Sequence, residues 1–237
     1  MKERDSIYLS IDQALEAVCI DFRRYEPQIV LLCQIISLVS GGSVIVKREG
    51  WKNGAWISVQ GRPNMRWAEG PELVETACSA VKGIARDSRL VSSICARVFH
   101  ERAWEERDPE TGRMGVRIET GMEGFSCRQC GRCCTSLDYH NELTEQDVVQ
   151  WEKSGRTDIL KWVRGIEQEG RKSGYRIWTV PGTTGLADMC PFLKKIPSEN
   201  RWECLIHAVK PAICRQYPLT RKHGLMTGCL GFDAKMG

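Results

Sequence analysis

The stretch Cys127-Arg-Gln-Cys130-Gly-Arg-Cys133-Cys134 decides how the second half of the chain is organised. Its first three cysteines are spaced by two residues each, so one short loop can direct several sulfurs at a single point. The same spacing occurs in the ligand loops of iron–sulfur proteins. Gly131 allows the backbone to curl until the thiols converge. The stretch therefore predicts a bound metal ion or iron–sulfur cluster.

Further cysteines follow this loop, each of them close to a proline, a glycine or a polar turn. Together with the loop they account for eight of the twelve cysteines. We take these eight as the candidate metal- and cofactor-binding residues: Cys127, Cys130, Cys133, Cys134, Cys190, Cys204, Cys214 and Cys229. The other four lie far apart in apolar segments of the first half, where a thiol acts as a small buried hydrophobe. They are Cys19, Cys33, Cys78 and Cys95.

The overall composition is that of a globular protein and limits the classes of function. The chain has 237 residues, 42% of them hydrophobic and 27% charged, enough for one large domain or two small ones. A net charge of +4 is too small an excess to indicate nucleic-acid binding. The apolar run Ile29–Val39 is shorter than the about 20 residues that a membrane span needs. The charged start leads into no signal-peptide core, so we expect a cytoplasmic protein, in which disulfides do not persist.

The first half shows the patterns of several helices and one hairpin. Apolar residues recur at helical spacing over residues 10–24 and 71–84, and in a third helix that Ser88 is expected to cap. Residues 29–40 indicate a buried helix or, alternatively, a buried strand. Asn53-Gly54 predicts a tight hairpin turn. Asp108–Gly112 is turn sequence, and we place the domain boundary there, so that residues 1–112 form a small α/β or α+β domain of unknown role.

The second half alternates short elements with loops. Thr144 and Asp147 form a capping box that begins a helix. The segment Trp202–His207 reads as a short strand or turn that presents Cys204, and a short helix follows over residues 208–217. Another helix is expected to contain Ile159, Leu160, Trp162, Val163 and Ile166. We therefore predict an α+β protein whose residues 113–237 form a loop-rich, metal-stapled, mostly helical cysteine-cluster domain.

The order of the cysteines and their neighbours resembles that of a known family. The pattern consists of Phe125-x-Cys127-x2-Cys130-Gly131-x-Cys133-Cys134, Cys190-Pro191-Phe192-Leu193, Cys204-x-Ile206 and Pro211-x2-Cys214-Arg215-x-Tyr217-Pro218. It resembles the CxxCxxCC family of zinc- or iron-chelating domains, also called YkgJ-type cysteine-cluster proteins. The resemblance implies a metal centre held by the eight cysteines. The family usually has tyrosine where this chain has His207 and arginine where it has Lys210, and some members, such as flagellin lysine N-methylases, pair the domain with methyl transfer.

The eight thiols allow more than one kind of centre. They can build two four-sulfur sites, or one site with spare or structural thiols. Four cysteines favour tetrahedral zinc when one ion is bound, and larger clusters also accept four cysteines. Adjacent side chains tend to diverge, so Cys133 and Cys134 suit different metals, or one ligand and one spare thiol. The C-x2-C-x2-C spacing favours a [4Fe–4S] cluster, with zinc as the alternative. A metal that only staples the fold is a further interpretation.

Several polar residues lie close in sequence to the cysteines. Basic side chains there would offset the negative charge of a thiolate-bound cluster, raise its reduction potential or bind an acidic partner. The alternative is that they are ordinary solvated charges of a loop. The basic residues are Arg128, Arg132, Lys210 and Arg215. The histidines are further candidate ligands or proton donors, with His207 preferred because it follows Cys204 by three residues. The remaining candidates are His140, His223, Asp138 and Tyr139.

The leading functional interpretation is an iron–sulfur protein with a redox or electron-transfer role, as an accessory subunit of a larger oxidoreductase. It follows from a supply of cysteines larger than one structural zinc needs. The alternatives are a metal-dependent modifying enzyme, such as a protein methyltransferase, and a metal-stapled interaction module, so the sequence leaves open whether the protein is an enzyme. We expect a protein partner, either a redox enzyme or a substrate protein, and neither nucleic acid nor a membrane span.

Overall fold

The chain divides into two compact units, Met1–Glu123 and Gly124–Gly237. The computed structural model describes residues 6–25, 28–50, 52–59, 64–168, 171–197 and 199–235. Both units contain helices and antiparallel strands, so the chain has the predicted α+β character. Within these ranges no helix is both long enough and apolar enough to cross a membrane.

The first unit packs helices against two three-stranded antiparallel sheets, one with the order β1 (Ser6–Ser10), β6 (Met114–Glu119), β5 (Ala103–Arg107) and the other with the order β2 (Val44–Arg48), β3 (Gly54–Val59), β4 (Arg66–Glu69). In β6, Ile118 lies opposite Ile7 of β1 and Ala103 of β5. Its elements are β1 (Ser6–Ser10), α1 (Ile11–Arg24), α2 (Ile29–Val39), β2 (Val44–Arg48), β3 (Gly54–Val59), β4 (Arg66–Glu69), α3 (Gly70–Lys82), α4 (Ser88–Phe99), β5 (Ala103–Arg107) and β6 (Met114–Glu119).

Helix α1 shows how local sequence and packing agree in this unit. Ser10 accepts a hydrogen bond from the Gln13 backbone N–H at 3.3 Å, while the Gln13 side chain accepts one from the Ser10 N–H at 2.9 Å. This reciprocal capping box satisfies donors that would otherwise be unpaired at the helix start. Behind it, Leu15, Val18 and Phe22 recur at helical spacing and are all buried in the core. The predicted helix is confirmed.

The four scattered cysteines of the first half are buried, as predicted. The sulfurs of Cys19 and Cys78 each lie 3.9 Å from the backbone oxygen of the other residue. Burial is the largest cause of a raised pKa at these thiols and brings the pKa of Cys78 and Cys95 to about 12. The thiols are therefore neutral members of the core at neutral pH.

We expect the stability of the first unit to fall as the pH rises from 9 towards 12. An unfolded thiol has a pKa near 9.0, whereas Cys95 in the folded unit has one of about 12, so the unfolded chain ionises first. Each such thiol then costs about 1.4 kcal/mol of unfolding free energy per pH unit in this window. Chemical denaturation under reducing conditions from pH 8 to 10.5 measures the slope. A Cys95→Ala variant should have a shallower slope, and equal slopes would contradict the assignment.

Two local predictions in the first unit are wrong. Strand β2 ends at Arg48 and β3 begins at Gly54, so the hairpin is present but its connection is longer than a two-residue Asn53-Gly54 turn. Gly54 is the first residue of β3, and the sheet requires glycine there because a Cβ would lie 2.5 Å from the Trp67 ring. The N-cap of α4 is Asp87, whose side chain accepts from the Arg89 N–H at 3.0 Å, and Ser88 is already helical.

The domain boundary also lies later than the sequence suggested. The turn Asp108–Gly112 joins β5 to β6, and β6 pairs with β1 from the start of the chain. This pairing places residues 113–119 in the first unit, and the division falls between Glu123 and Gly124 instead of after residue 112. A turn-rich stretch marks a hairpin as well as it marks a linker, so only the long-range pairing distinguishes the two.

The second unit consists of short elements around a small core. Two-stranded antiparallel sheets are formed by Val163–Gln168 with Arg171–Ile177 and by Leu193–Ile196 with Arg201–Cys204. Trp151, Ile159 and Ile177 are fully buried in its core. Its elements are α5 (Arg132–Thr135), α6 (Glu145–Lys153), α7 (Thr157–Leu160), β7 (Val163–Gln168), β8 (Arg171–Ile177), β9 (Leu193–Ile196), β10 (Arg201–Cys204), a 3₁₀ turn (His207–Val209), α8 (Ala212–Gln216), α9 (Arg221–Met226) and a second 3₁₀ segment (Leu230–Lys235).

Helical elements outnumber strands in this unit, but four of its elements are strands that the description "mostly helical" does not cover. The helix expected to run from Ile159 to Ile166 ends at Leu160, and Val163 begins a strand that pairs with Ile177. Its apolar residues satisfy a helical spacing and a strand pairing alike, and the partner strand decides between them. The capping box at Thr144 and Asp147 is confirmed, as are the strand that ends at Cys204 and a short helix after Pro211.

Candidate metal centre

The loop that carries the first four candidate cysteines is held in a curled conformation by two residues with left-handed backbone. Gln129 has φ 53° and Gly131 has φ 73°. Immediately after them, α5 forms a single turn that contains Cys133 and Cys134, and the Cys134 N–H donates to the Gly131 oxygen at 2.9 Å. A Cβ at position 131 would lie 2.7 Å from Cδ1 of Trp202. Gly131 is therefore required both for the backbone angle and for the close approach of the indole.

Strand β10 brings Cys204 to this loop. The Trp202 N–H donates to the Gln129 backbone oxygen at 2.8 Å, and Arg201 Nη1 donates to the Gln129 side-chain oxygen at 3.4 Å. With the indole packed on Gly131, these bonds fix the strand against the curled backbone. Cys204 is the last residue of the strand and lies opposite Leu193 of β9.

Cys190 joins the same group through the backbone. Its N–H donates to the Cys134 oxygen at 3.1 Å, and its own oxygen accepts from the Leu193 N–H at 3.2 Å. The first bond attaches the Cys190 segment directly to α5, and the second turns the chain into β9. Cys190 is the buried one among the eight candidate ligands.

Cys214 lies on α8, which begins after Pro211. The Cys214 N–H donates to the Pro211 oxygen at 3.0 Å. Helix α8 is linked to α6 by the buried carboxylate of Asp147, which accepts from the Ala212 N–H at 2.8 Å. Trp151 of α6 donates through Nε1 to the Val209 oxygen at 2.7 Å. Two residues of α6 therefore hold the segment that carries Cys214.

Cys229 is brought back to the start of the unit by the last 3₁₀ segment. The Ser126 N–H donates to the Gly231 oxygen at 3.1 Å, and the rings of Phe125 and Phe232 pack with centroids 5.1 Å apart. The guanidinium of Arg132 lies against Gly228, where a Cβ would be 2.8 Å from Cζ. These contacts set Cys229 beside the cysteine loop.

The thiols form one electrostatic group with Cys133 at its centre. The sulfurs of Cys133 and Cys134 are 3.8 Å apart, and this hydrogen bond is the largest cause of the raised pKa of Cys133, followed by burial. Charge on Cys133 also raises the pKa of four other groups. They are Cys190, Cys214, Tyr217 and Cys229. Because the ionised thiols repel one another, a bound cation stabilises the group.

Burial and mutual repulsion keep these thiols protonated without a cation. Burial raises the pKa of Cys190 to about 11, with smaller contributions from the charges on Cys204 and Cys133. Burial raises the pKa of Cys214 to about 12, again with contributions from neighbouring thiols. The ammonium of Lys210 acts in the opposite direction on Cys133 and Cys214. Lys210 is thus a basic residue of the sequence prediction whose charge favours the thiolate forms of these two cysteines.

Other predicted residues lie outside this group or are used differently. Cys127 is exposed on the loop, and His207 is exposed in its 3₁₀ turn. His140 Nδ1 forms a hydrogen bond of 2.9 Å with the Ile177 oxygen. His223 is buried, with its ring edge-on to Tyr217 at 5.1 Å. Tyr139 also packs on Tyr217, with centroids 5.9 Å apart.

As the side chains stand in the part of the chain that is described, no three or more His, Cys, Asp or Glu residues are arranged to hold one metal ion. The donor chemistry nevertheless fits zinc or an iron–sulfur centre, since both bind through thiolates. Hydrogen bonds and packing contacts connect the segments of Cys133, Cys134, Cys190, Cys204 and Cys229.

Comparison with known proteins agrees with this cysteine pattern. Residues 126–229 match the model of the CxxCxxCC family, described as "Putative zinc- or iron-chelating domain". Residues 126–229 are thus similar to a CxxCxxCC domain, and we refer to them by that name. The match supports metal binding by this part of the chain and confirms the family resemblance. No curated protein and no solved structure matches the chain.

Sequence reasoning missed the residues that support the CxxCxxCC domain from outside the cysteine motifs. The sequence predicts Asp147 only as part of a capping box, yet Asp147 and Trp151 together hold the segment of Cys214. Trp202 was seen as part of a strand, and its ring covers Gly131. The hydrogen-bond partners of Asp147 and Trp151 lie more than 55 residues away in the chain. A spacing pattern contains no signal for them.

Proposed function

We propose that the CxxCxxCC domain binds an iron–sulfur cluster of the [4Fe–4S] type and that the protein transfers electrons, as an accessory subunit of a larger oxidoreductase. The observation that carries the proposal is that hydrogen bonds and packing contacts bring together the segments of more cysteines than one zinc ion takes. Cys133 interacts with Cys134, Cys190, Cys214 and Cys229, and Cys204 acts on two of them. A tetrahedral zinc site is complete with four ligands. When bound, such a cluster supplies one-electron redox chemistry.

The surroundings of the thiols suit this role. Lys210 places a positive charge near Cys133 and Cys214, which favours their thiolate forms and a higher potential of a centre bound there. Arg128 and Arg132 are exposed on the cysteine loop itself. Exposed guanidinium groups beside a partly exposed centre favour encounter with an acidic protein surface. The partner we propose is therefore a redox enzyme that presents carboxylates.

Anaerobic purification of the full chain tests the cofactor. We expect a brown protein with broad visible charge-transfer absorption, and about four irons and four sulfides for each bound cluster. Reduction by dithionite should bleach the colour reversibly and produce an electron paramagnetic resonance signal. A colourless protein that holds stoichiometric zinc would contradict the proposal and favour the metal-stapled interaction module. A brown protein that also binds labelled S-adenosylmethionine would favour the modifying enzyme over simple electron transfer.

A further inference from the structure

Asp147 has a carboxylate that is almost completely buried and whose two oxygens both accept hydrogen bonds. Its side chain is 1% exposed. One oxygen, Oδ2, accepts from the Thr144 N–H at 3.2 Å and from the Thr144 hydroxyl at 2.6 Å. These are the bonds of the capping box that begins α6. They use only half of the carboxylate.

The other oxygen serves a different helix. Asp147 Oδ1 accepts from the Ala212 N–H at 2.8 Å and from Arg215 Nη2 at 3.3 Å. Ala212 is the first residue of α8, and no side chain adjacent to α8 caps it, since its N-cap residue is Pro211. Asp147 therefore supplies the missing acceptor across 65 residues of chain. A buried carboxylate shared in this way couples the positions of the two helices.

A second hydrogen bond attaches α6 to the chain just before α8. Trp151, one turn after Asp147, donates to the Val209 oxygen, so α6 holds the chain on both sides of Pro211. Cys214 follows Ala212 by two residues on a helix of only five residues. So short a helix does not define its own position in water, and most of its order comes from tertiary contacts.

We propose that Asp147 is a positioning residue that sets Cys214 among the other thiols of the centre. In this role its charge and both of its oxygens are needed. The part of the inference that concerns metal rests on the proposed function, whereas the positioning of Cys214 can be measured in metal-free protein. An asparagine at position 147 presents one oxygen and one NH₂ group, so either Thr144 or Ala212 loses its acceptor and a donor faces a donor.

The test is the rate at which iodoacetamide alkylates Cys214 in metal-free, reduced full-length protein, read by mass spectrometry at fixed pH. Asp147→Asn should raise this rate about tenfold, the change that a local opening free energy lower by about 1.4 kcal/mol produces. The exposed Cys127 should react at an unchanged rate in the same molecules. Thr144→Ala removes only the hydroxyl of the capping box and should leave the Cys214 rate within about twofold of wild type.

Ala212→Pro is the second variant, and it decides the question if Asp147→Asn fails to fold. Proline removes the N–H that bonds to Asp147 but suits the first position of a helix, and Pro211 already has the extended backbone that precedes a proline. It should raise the Cys214 rate about fivefold while the capping box stays intact, a change of about 1 kcal/mol. A Cys214 rate equal to that of Thr144→Ala in both variants would overturn the proposal.

A metal arm separates this inference from the proposed function. After reconstitution with ferrous iron and sulfide, Asp147→Asn should lose iron to a chelator about tenfold faster than wild type and Thr144→Ala should not, in line with changes around metal ligands. If wild-type protein takes up no iron, the proposed cofactor fails while the alkylation rates still decide the role of Asp147. If iron binds and the alkylation rates are unchanged, only the role of Asp147 is refuted.

Discussion

Cys133→Ser is expected to abolish metal binding by the CxxCxxCC domain. Cys133 is the thiol whose charge acts on Cys190, Cys214 and Cys229, and its sulfur lies 3.8 Å from that of Cys134. Serine keeps the size of the side chain but offers a hard oxygen that stays protonated, which zinc and iron–sulfur centres do not accept in place of a thiolate. We expect metal affinity to fall more than about 100-fold, beyond the 10- to 100-fold typical of changes around the ligands.

The measurement is metal content after reconstitution and dialysis, by elemental analysis, with unfolding followed in parallel. Cys33→Ala is the matched control, because it also removes one thiol, but from the core of the first unit. It should retain the full metal content. Cys134→Ser is informative as a neighbour, since a spare thiol would leave metal content unchanged. Wild-type metal content in Cys133→Ser would contradict a centre built around this residue.

Gly131→Ala is expected to cause the largest loss of stability in the second unit. At φ 73° an L-residue costs about 1–2 kcal/mol, because its Cβ crowds the backbone. The new methyl group would also lie 2.7 Å from Trp202 Cδ1, and the backbone of Trp202 is held in place by the bond from its N–H to the Gln129 oxygen. Overpacking of this kind costs about 1–3 kcal/mol. The sum predicts a loss of about 2–5 kcal/mol.

Gly155→Ala separates the two contributions. Gly155 also has a positive φ, 66°, but a Cβ there would meet nothing within 4 Å, so this variant should lose only the backbone contribution. Hydrogen exchange of the amides between residues 124 and 235, followed by mass spectrometry, restricts the measurement to the second unit. Replacing Trp202 by leucine in the Gly131→Ala background should recover part of the loss. Equal effects of the two glycine variants would show that the indole contact is unimportant.

The elements that the sequence predicted correctly are those whose cause is local. The capping box at Thr144 satisfies its donors within four residues, and the predicted helices α1 and α6 bury a face that can be counted along the chain. The cysteine loop belongs to the same class, because its spacing lies within eight residues. Helix α2 was predicted as a helix with a strand as the alternative, and its apolar length matches the helix.

The elements that it missed are those decided by distant partners. Val163 begins a strand because Ile177 lies opposite, and β6 belongs to the first unit because it pairs with β1. For the candidate site, the sequence proposes which sulfurs take part, but whether they form one group depends on tertiary placement. Asp147 shows the difference most clearly, since its local bond to Thr144 was predictable and its bond to Ala212 was not.

The two ends of the second unit meet. The Ser126 N–H bonds to the Gly231 oxygen, and Phe125 and Phe232 share one ring contact. A chain segment whose ends adjoin can be spliced into a surface loop of an unrelated host without stretching the host. The same closure predicts that the unit tolerates circular permutation, with a short linker after Lys235 leading back to Gly124 and new termini in the exposed stretch at residues 181–186.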